Sequence, residues 1–374
     1  MSIQINWISS DAELAERCKY WNTLAFIALD TEFIRVDTFY PIAGLLQVSD
    51  GEGTYLLDPL LIADWQPLAQ VLTNQRVVKV LHACSEDLEV FSRLIGVLPV
   101  PMFDTQVAAG YLNIGFSMGY SRLVQHVLDI ELPKGETRSD WLQRPLTELQ
   151  VVYAAQDTEY LVDVYRALEE QSTEQKYAWV LEDGALLVAA YAEETDPYEL
   201  WRGIKLAWKL APQQLSVLRE LSAWREQQAR LRDVPRNRIV RESTLWALAH
   251  QQPLDMQHLA ELEDMHPRIL RKEGATLLKL IKQAKRLPES VWPAALPEPL
   301  PVEASKVLKR LRKVGLKLGL ELDIAPELML RKKILEALLR TGYPSGPYCL
   351  PDNLQGWRRD LMGEALLACL EDLQ

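Results

Sequence analysis

The sequence predicts an α/β domain with a mixed sheet, followed by two all-helical bundles. Over the first 170 residues, short runs rich in β-branched residues alternate with segments of helical periodicity. From about residue 171 onward the strand pattern disappears. The stretch 288–301 carries five prolines, which stop helices and make stiff linkers, and it therefore predicts a boundary within the helical part.

The elements of the first part follow from local patterns. QINWIS predicts a short strand, and DAELAERCKYW a helix that begins at Ser10 or Asp11. FIALDTEF, GLLQVSD and GTYLLDP predict three consecutive strands with short connections, a meander. VVKVLHAC predicts a further strand, and SEDLEVFSRLIG a helix that ends at Gly96. Three helices follow, in DTQVAAGYLN, YSRLVQHVLDI and TELQVVYAAQDTEYLVDVYRALEEQ.

The helical part contains two segments that look related. A shift of about 90 positions aligns leucines and several polar residues, among them Asp233 with Asp323 and Arg241 with Arg331. This indicates a duplicated helical module of about 80 residues. We therefore predict a first domain at 1–170, a helical connector at 171–210, a first helical module at 211–291, a linker at 292–301 and a second helical module at 302–374.

Charge is distributed unevenly along the chain, whose net charge is −11. Residues 1–195 hold 12 basic and 29 acidic side chains, a net charge of −17, whereas residues 196–374 hold 29 and 23, a net charge of +6. This asymmetry suggests an acidic metal-binding half and a basic half that binds a polyanion. Four scattered cysteines without a CxxC pair, and the absence of a signal or membrane-spanning pattern, lead us to expect a cytoplasmic protein without a membrane partner.

Acidic residues occur in three places where the pattern predicts burial. In FIALDTEF, Asp30 and Glu32 share one strand face with Phe26 and Ala28. Two carboxylates so close on a central strand repel each other unless a cation lies between them, and a divalent ion with oxygen ligands would meet that need. Acids at the end of a strand are the structural alternative.

The other two places are helical. In SEDLEVFSRLI, Ser85 could cap the helix and Asp87 lies in its first turn, where acids also favour the helix terminus. In the later helix, Tyr153 and Asp157 lie four residues apart and face the same point. They belong to a stripe that also contains Leu149, Tyr160 and Val164. A buried tyrosine–aspartate hydrogen bond with a purely structural role is the alternative for this pair.

Taken together, these motifs resemble the DEDD superfamily of 3′→5′ exonucleases, which have a ribonuclease H-like fold. The D-x-E motif is matched by Asp30 and Glu32, the second motif by Asp87, and Y-x-x-x-D by Tyr153 and Asp157, which indicates the tyrosine subgroup. The phrases LDTEF, LHACSEDLEVF and YAAQDTEYL resemble the ribonuclease D family in particular. Both helical modules resemble the HRDC (helicase and RNase D C-terminal) domain.

The resemblance implies a reaction and a partner. The four carboxylates would hold two Mg²⁺ or Mn²⁺ ions for hydrolysis at RNA 3′ ends, with Tyr153 assisting the attacking water and nucleoside 5′-monophosphates as products. The expected substrates are tRNA precursors with 3′ extensions, held by the helical modules, and we expect a monomer. Phe33 could stack on the terminal base and His82 could contact substrate, although core roles fit both; Asp104 fits a helix cap better than a ligand.

Two other functions fit parts of the pattern. A DNA 3′→5′ exonuclease would use the same carboxylates, but the chain has no polymerase or helicase motif. A non-catalytic nucleic-acid-binding adaptor would be expected to have lost at least one of the five motif residues, and none is lost. We therefore expect an active exoribonuclease.

Overall fold

The computed structural model describes residues 4–133, 135, 139–193, 195–329 and 331–372. The chain divides into two compact units. The first unit contains residues 1–34, 42–192 and 300–374, and we call it the catalytic unit because the predicted catalytic motifs lie in it; the second, the helical unit, contains residues 35–41 and 193–299.

Six strands form one mixed sheet in the catalytic unit. They are β1 Ile5–Ile8, β2 Phe26–Ile34, β3 Ile42–Ser49, β4 Thr54–Leu57, β5 Val78–Leu81 and β6 Met102–Asp104. The sheet order is β1-β4-β3-β2-β5-β6. The β2–β3–β4 part is an antiparallel meander, while β5 pairs parallel with both β2 and β6. The predicted mixed sheet and meander are thus confirmed.

Seven helices accompany the sheet in the described part of residues 1–192. They are α1 Asp11–Trp21, α2 Gln66–Thr73, α3 Asp87–Leu94, α4 Thr105–Tyr111, α5 Tyr120–Leu128, α6 Glu148–Gln171 and α7 Glu174–Ala192. The sequence pattern missed α2 and β6. The β6 strand has only three residues, too few to show an alternating pattern, and α2 lacks a side-chain N-cap hydrogen bond.

The central strand β2 separates two hydrophobic clusters. Ala28 contributes to the cluster under α6, whereas Ile27 and Leu29 contribute to the cluster on the opposite face. This alternation is the one that the FIALDTEF pattern predicts for a strand covered on both sides. Because α6 covers the same face as Ala28, the side chains of Asp30 and Glu32 are directed toward that helix.

The helical unit contains five α-helices among its described residues. They are α8 Pro212–Arg232, α9 Arg236–Ile239, α10 Glu242–Gln251, α11 Met256–Ala260 and α12 Pro267–Ala284. Three short 3₁₀ helices lie at Leu200–Gly203, Ala207–Lys209 and Glu289–Val291. The apolar faces of these helices enclose the core of the helical unit, which includes Trp201, Leu218, Leu248 and Leu277.

The last helices belong to the catalytic unit. They are α13 Ala304–Glu321, α14 Pro326–Met329, α15 Lys332–Arg340 and α16 Gly356–Glu371. The indole rings of Trp179 in α7 and Trp357 in α16 stack at 4.7 Å between centroids. Leu328 packs so close to α4 that a Cβ on Gly110 would lie 2.7 Å from it. The last four helices therefore contribute to the core of the catalytic unit. The predicted five-segment division stays a prediction.

Candidate active site

The carboxyl end of β2 places two acids at the centre of the sheet. In register, Asp30 lies opposite Gln47 and Glu32 opposite Leu45 on β3. A bulge follows, because Phe33 pairs with Ala43 and Gly44 has no counterpart in β2. Gly44 has to be glycine, since a Cβ there would lie 2.6 Å from the Cβ of Trp141.

Three of the predicted carboxylates come together. Oxygen atoms of Asp30, Glu32 and Asp157 all lie within 4.8 Å of one another, and all three side chains are half-buried. Asp87 lies close enough to raise the pKa values of Asp30 and Glu32, but it is outside this group of three. Its Oδ1 accepts a hydrogen bond of 2.5 Å from the hydroxyl of Thr31, a residue that the sequence interpretation missed.

The turn between β5 and α3 positions Asp87. The carboxylate of Asp104 accepts hydrogen bonds from the backbone N–H of Ala83 (3.0 Å) and Cys84 (3.3 Å), and it also caps α4. The predicted capping role of Asp104 is therefore confirmed. Ser85 does not cap α3, which begins at Asp87 without a side-chain cap. The turn before the helix is stabilised by the hydrogen bonds to Asp104 instead.

The long helix α6 supplies Tyr153 and Asp157. Its start is fixed by a capping box, in which Thr147 accepts from the N–H of Gln150 at 3.2 Å and Gln150 accepts from the N–H of Thr147 at 3.0 Å. Leu149, placed by its spacing on the buried stripe, is instead 70% exposed, since it lies in the first turn of α6. Tyr153 and Asp157 lie one and two turns further along, where the helix covers the sheet.

Burial raises the pKa of all four acidic side chains, and repulsion from neighbouring carboxylates raises it further. Burial raises the pKa of Asp30 well above its usual range, and the charges of Asp87, Asp157 and Glu32 raise it further. Burial, followed by the charges of Asp157 and Asp87, raises the pKa of Glu32 to about 9. Burial also raises the pKa of Asp87 and of Asp157 to about 7, although Thr31 and Tyr153 respectively lower them in part through hydrogen bonding.

These residues fit a divalent cation. Carboxylate oxygens are the ligands that Mg²⁺ and Mn²⁺ prefer, and a cation among them would relieve the repulsion that raises the pKa values. The half-buried position also leaves the oxygens accessible from solvent. The donor set of Asp30, Glu32 and Asp157, with Asp87 beside it, is therefore suited to metal binding.

We expect the metal-free protein to lose stability as pH rises. The four carboxyls titrate near pH 4 when unfolded, but their folded pKa values are raised, to about 7 for Asp87 and Asp157 and about 9 for Glu32. Their contribution to stability is thus complete below pH ~4 and is lost as pH rises through ~7 to ~9. Thermal unfolding in EDTA should show a falling midpoint from pH 5.5 to pH 9, and Mg²⁺ should raise the midpoint most at pH 9.

The Asp30→Asn/Glu32→Gln double variant is the matched control. It lacks two of the raised groups, and its midpoint in EDTA should therefore depend less on pH than that of the unchanged protein. A midpoint of the unchanged protein that stays constant or rises over this pH range would contradict the expectation.

The two other predicted site residues lie near the cluster. Phe33 is half-buried in β2, directly after the point at which the bulge in β3 shifts the register. His82 is half-buried at the end of β5, with its Nδ1 2.9 Å from the hydroxyl of Thr105 and its ring 5.5 Å from that of Tyr120. Their suggested contacts with substrate stay predictions.

Tyr120 is a site neighbour that the sequence interpretation missed. Its pKa is raised first by burial and then by the charges of Asp157 and Asp30, and its hydroxyl donates to the backbone carbonyl of Gln156 at 2.9 Å. It is the first residue of α5, and only the fold brings it to the carboxylates. An aromatic residue at a helix start carries no local signal for such a position.

Comparison with known proteins identifies the family. A family model described as a 3′-5′ exonuclease matches residues 5–172, and an HRDC domain model matches residues 214–281. The ribonuclease D of Pseudomonas paraeruginosa is 62% identical over 368 residues, covering 98% of both chains. The chain belongs to the ribonuclease D family. The predicted 3′→5′ exoribonuclease is thereby confirmed, as is the α/β exonuclease domain followed by a helical HRDC region.

A solved structure supports the same assignment over the whole chain. The crystal structure of Escherichia coli RNase D matches with a TM-score of 0.90 and 36% identity, covering 100% of this chain and 99% of that one. The catalytic core of RRP6 from Trypanosoma brucei, at 24% identity and a TM-score of 0.58, shares the fold. Enzymes of this kind use divalent metal ions. Among the described residues, no helix is long and apolar enough to cross a membrane.

Proposed function

We propose that this exoribonuclease trims the 3′ ends of tRNA precursors and other structured RNAs by a two-metal reaction. The observation that carries the proposal is the group of three carboxylates within 4.8 Å, with Asp87 beside them, on an RNA-degrading family fold. The E. coli relative is described as involved in structured RNA processing. When bound, two Mg²⁺ or Mn²⁺ ions would activate water and stabilise the leaving 3′ oxygen.

The chain's own residues have separate tasks in this proposal. Asp30, Glu32, Asp87 and Asp157 would hold the ions. Tyr153 would orient the attacking water, because its phenol lies close enough to Asp157 to lower the pKa of that carboxyl in part. Burial and nearby negative charge raise the pKa of the phenol itself, which keeps it protonated and able to donate a hydrogen bond. The carboxylates of Asp30, Glu32 and Asp157 cluster without a residue from a second copy, which supports action as a monomer.

The test is incubation of the purified protein with a tRNA precursor that carries extra 3′ nucleotides, with and without Mg²⁺. We expect stepwise shortening from the 3′ end and release of nucleoside 5′-monophosphates only with the metal. A DNA oligonucleotide of the same sequence as a single-stranded RNA is the control, since the 2′-OH distinguishes RNA from DNA. Shortening in EDTA, or equal rates on DNA and RNA, would contradict the proposal.

The second helical module, residues 302–374, is proposed to be a divergent HRDC-like domain. Its helix order is a long helix, a short one and two further helices, and it follows that of the first module except that α11 has no counterpart. The long helices α8 and α13 are followed by Asp233 and Asp323, which have φ angles of +47° and +50°. These are two residues that the 90-position shift aligns. A cytoplasmic location remains part of the proposal.

A basic groove in the first helical module is proposed to hold the RNA backbone. The groove has a volume of about 640 Å³. Of its lining cations, Arg232 pairs with Glu273 at 2.6 Å and Arg238 pairs with Asp37. The remaining cations are exposed and have no ion-pair partner among the described residues; they are Arg241, Arg268 and Lys272. The two lining acids are thus already neutralised, so the groove keeps a net positive charge for phosphates.

Replacing Arg241, Arg268 and Lys272 together by alanine should weaken RNA binding most at low salt. Three lost contacts to single-stranded RNA would reduce the slope of log K against log salt by about 2. Filter binding of a 3′-tailed RNA at several salt concentrations measures this slope. The control variant Lys19→Ala/Arg76→Ala/Lys332→Ala loses the same charge elsewhere and should change the slope less. Equal slopes for the two triple variants would contradict a role of the groove in RNA binding.

A further inference from the structure

Two fully buried polar side chains lie beside the carboxylates and have no hydrogen-bond partner in the part of the chain that the structure describes. The side chain of Gln47 on β3 is 0% exposed, and neither its Oε1 nor its Nε2 is bonded among the described residues. The hydroxyl of Thr158 on α6 is likewise 0% exposed and without a partner. Buried polar atoms in proteins are almost always paired, so these three atoms need an explanation.

Register places Gln47 beside Asp30. The two residues are directly opposite in the antiparallel β2–β3 pair, so their side chains emerge on the same face of the sheet with Cβ atoms about 5 Å apart. That face is the one covered by α6. On the other side of Gln47, the neighbouring strand β4 places the apolar residue Leu56 directly opposite it. The polar neighbour of Gln47 along this row is therefore Asp30.

Thr158 lies above the same row. One turn before it, Ala154 belongs to the hydrophobic cluster of Leu45 and Leu56. One turn after it, Val162 belongs to the cluster that contains Ala28. On the strands, Asp30 and Gln47 lie between those two positions. The buried side chain of Thr158 therefore lies on the part of α6 that covers the row containing Asp30 and Gln47.

The donors and acceptors of the three residues are complementary. A carboxylate only accepts, a carboxamide offers one accepting oxygen and a donating nitrogen, and a threonine hydroxyl can donate. We propose that Gln47 is a positioning residue for Asp30 once a metal ion is bound: its Nε2, unpaired in this structure, would then donate to the Asp30 carboxylate, while its Oε1 would accept from the hydroxyl of Thr158. The relay would hold the Asp30 oxygens in the orientation required for metal binding, which rests on the proposed two-metal function.

The test compares Mn²⁺ binding by the metal-free protein, measured by isothermal titration calorimetry with Mn²⁺ alone. Gln47→Met keeps a side chain of similar volume without hydrogen-bonding groups, and Thr158→Val is isosteric without the hydroxyl. Each should raise the Mn²⁺ dissociation constant by about 10-fold or more, the size of effect known for residues that orient metal ligands. Thr158→Ser keeps the hydroxyl and should restore most of the affinity.

Two further measurements separate the relay from a general packing effect. In the Gln47→Met background, Thr158→Val should have no additional effect on Mn²⁺ affinity, since the relay is already broken. Ser222→Ala removes another buried hydroxyl without a partner, in the helical unit, and should leave Mn²⁺ affinity unchanged. In assays across a Mn²⁺ titration, Gln47→Met should need more Mn²⁺ for half-maximal kcat, while the KM for RNA at saturating Mn²⁺ stays the same.

Mn²⁺ affinities of Gln47→Met and Thr158→Val equal to that of the unchanged protein would overturn the inference. So would additive effects of the two substitutions. Should Gln47→Met fail to fold, the comparison of Thr158→Val with Thr158→Ser decides alone, and equal affinities of these two would overturn it. An unchanged protein that binds no Mn²⁺ would instead refute the proposed function, so the two failures are distinguishable.

Discussion

Replacing Asp157 by asparagine should reduce kcat on a 3′-tailed RNA by more than about 100-fold. Residues that only orient metal ligands already contribute 10- to 100-fold, and loss of a ligand should exceed that. Because the change also removes one charge from the cluster within 4.8 Å, the metal-free variant should be more stable than the unchanged protein. A gain of 1 kcal/mol corresponds to roughly 2–4 °C in the midpoint of thermal unfolding.

The combination of lost activity and raised stability makes the result specific to the site. Asp163→Asn is the matched control, since Asp163 lies on the same helix, is 56% exposed and pairs only weakly with Arg166 at 3.6 Å. It should leave both kcat and the unfolding midpoint nearly unchanged. An Asp157→Asn variant with the activity of the unchanged protein would remove Asp157 from the proposed metal ligands.

Replacing Arg358 by methionine should destabilise the catalytic unit by about 3–5 kcal/mol. Arg358 is 8% exposed and donates to Asp183 at 2.6 and 2.8 Å and to the carbonyl of Leu328 at 2.8 Å. The hydroxyl of Tyr111 donates to the same carboxylate at 2.7 Å. Without the guanidinium, Asp183 keeps a nearly buried charge with one hydrogen bond. Thermal unfolding should show the midpoint lowered by roughly 6–20 °C.

Arg359 provides the control for this prediction. It is the next residue, exposed, and makes one hydrogen bond of 3.3 Å to the carbonyl of Leu354. Arg359→Met should therefore change the midpoint little. Adding Asp183→Asn to Arg358→Met should recover part of the lost stability, because no charge is then left unpaired. Equal midpoints for the two arginine variants would show that the last helices do not stabilise the catalytic unit through this ion pair.

Most of the α/β domain was predictable because its signals are local. The alternation in FIALDTEF, the β-branched run in VVKVLHAC and the spacing of Tyr153 and Asp157 each lie within one element, and the structure has those elements in place. Elements without a strong local pattern, such as β6 and α2, were missed. The same locality explains the exposed Leu149: helical spacing predicts a shared face but not where the sheet begins to cover it.

The sequence by itself determined the chemical class. Three separated acidic motifs, with a tyrosine one turn before the last aspartate, identify the family without knowledge of the structure. Only the tertiary structure decided which residues surround them. Thr31 beside Asp87, Tyr120 beside Asp157 and Gln47 beside Asp30 are contacts between distant elements. Likewise, the described residues from 300 onward belong to the same compact unit as the sheet. Such contacts depend on strand register and on which apolar faces pack together. Neither can be predicted from a short stretch of sequence.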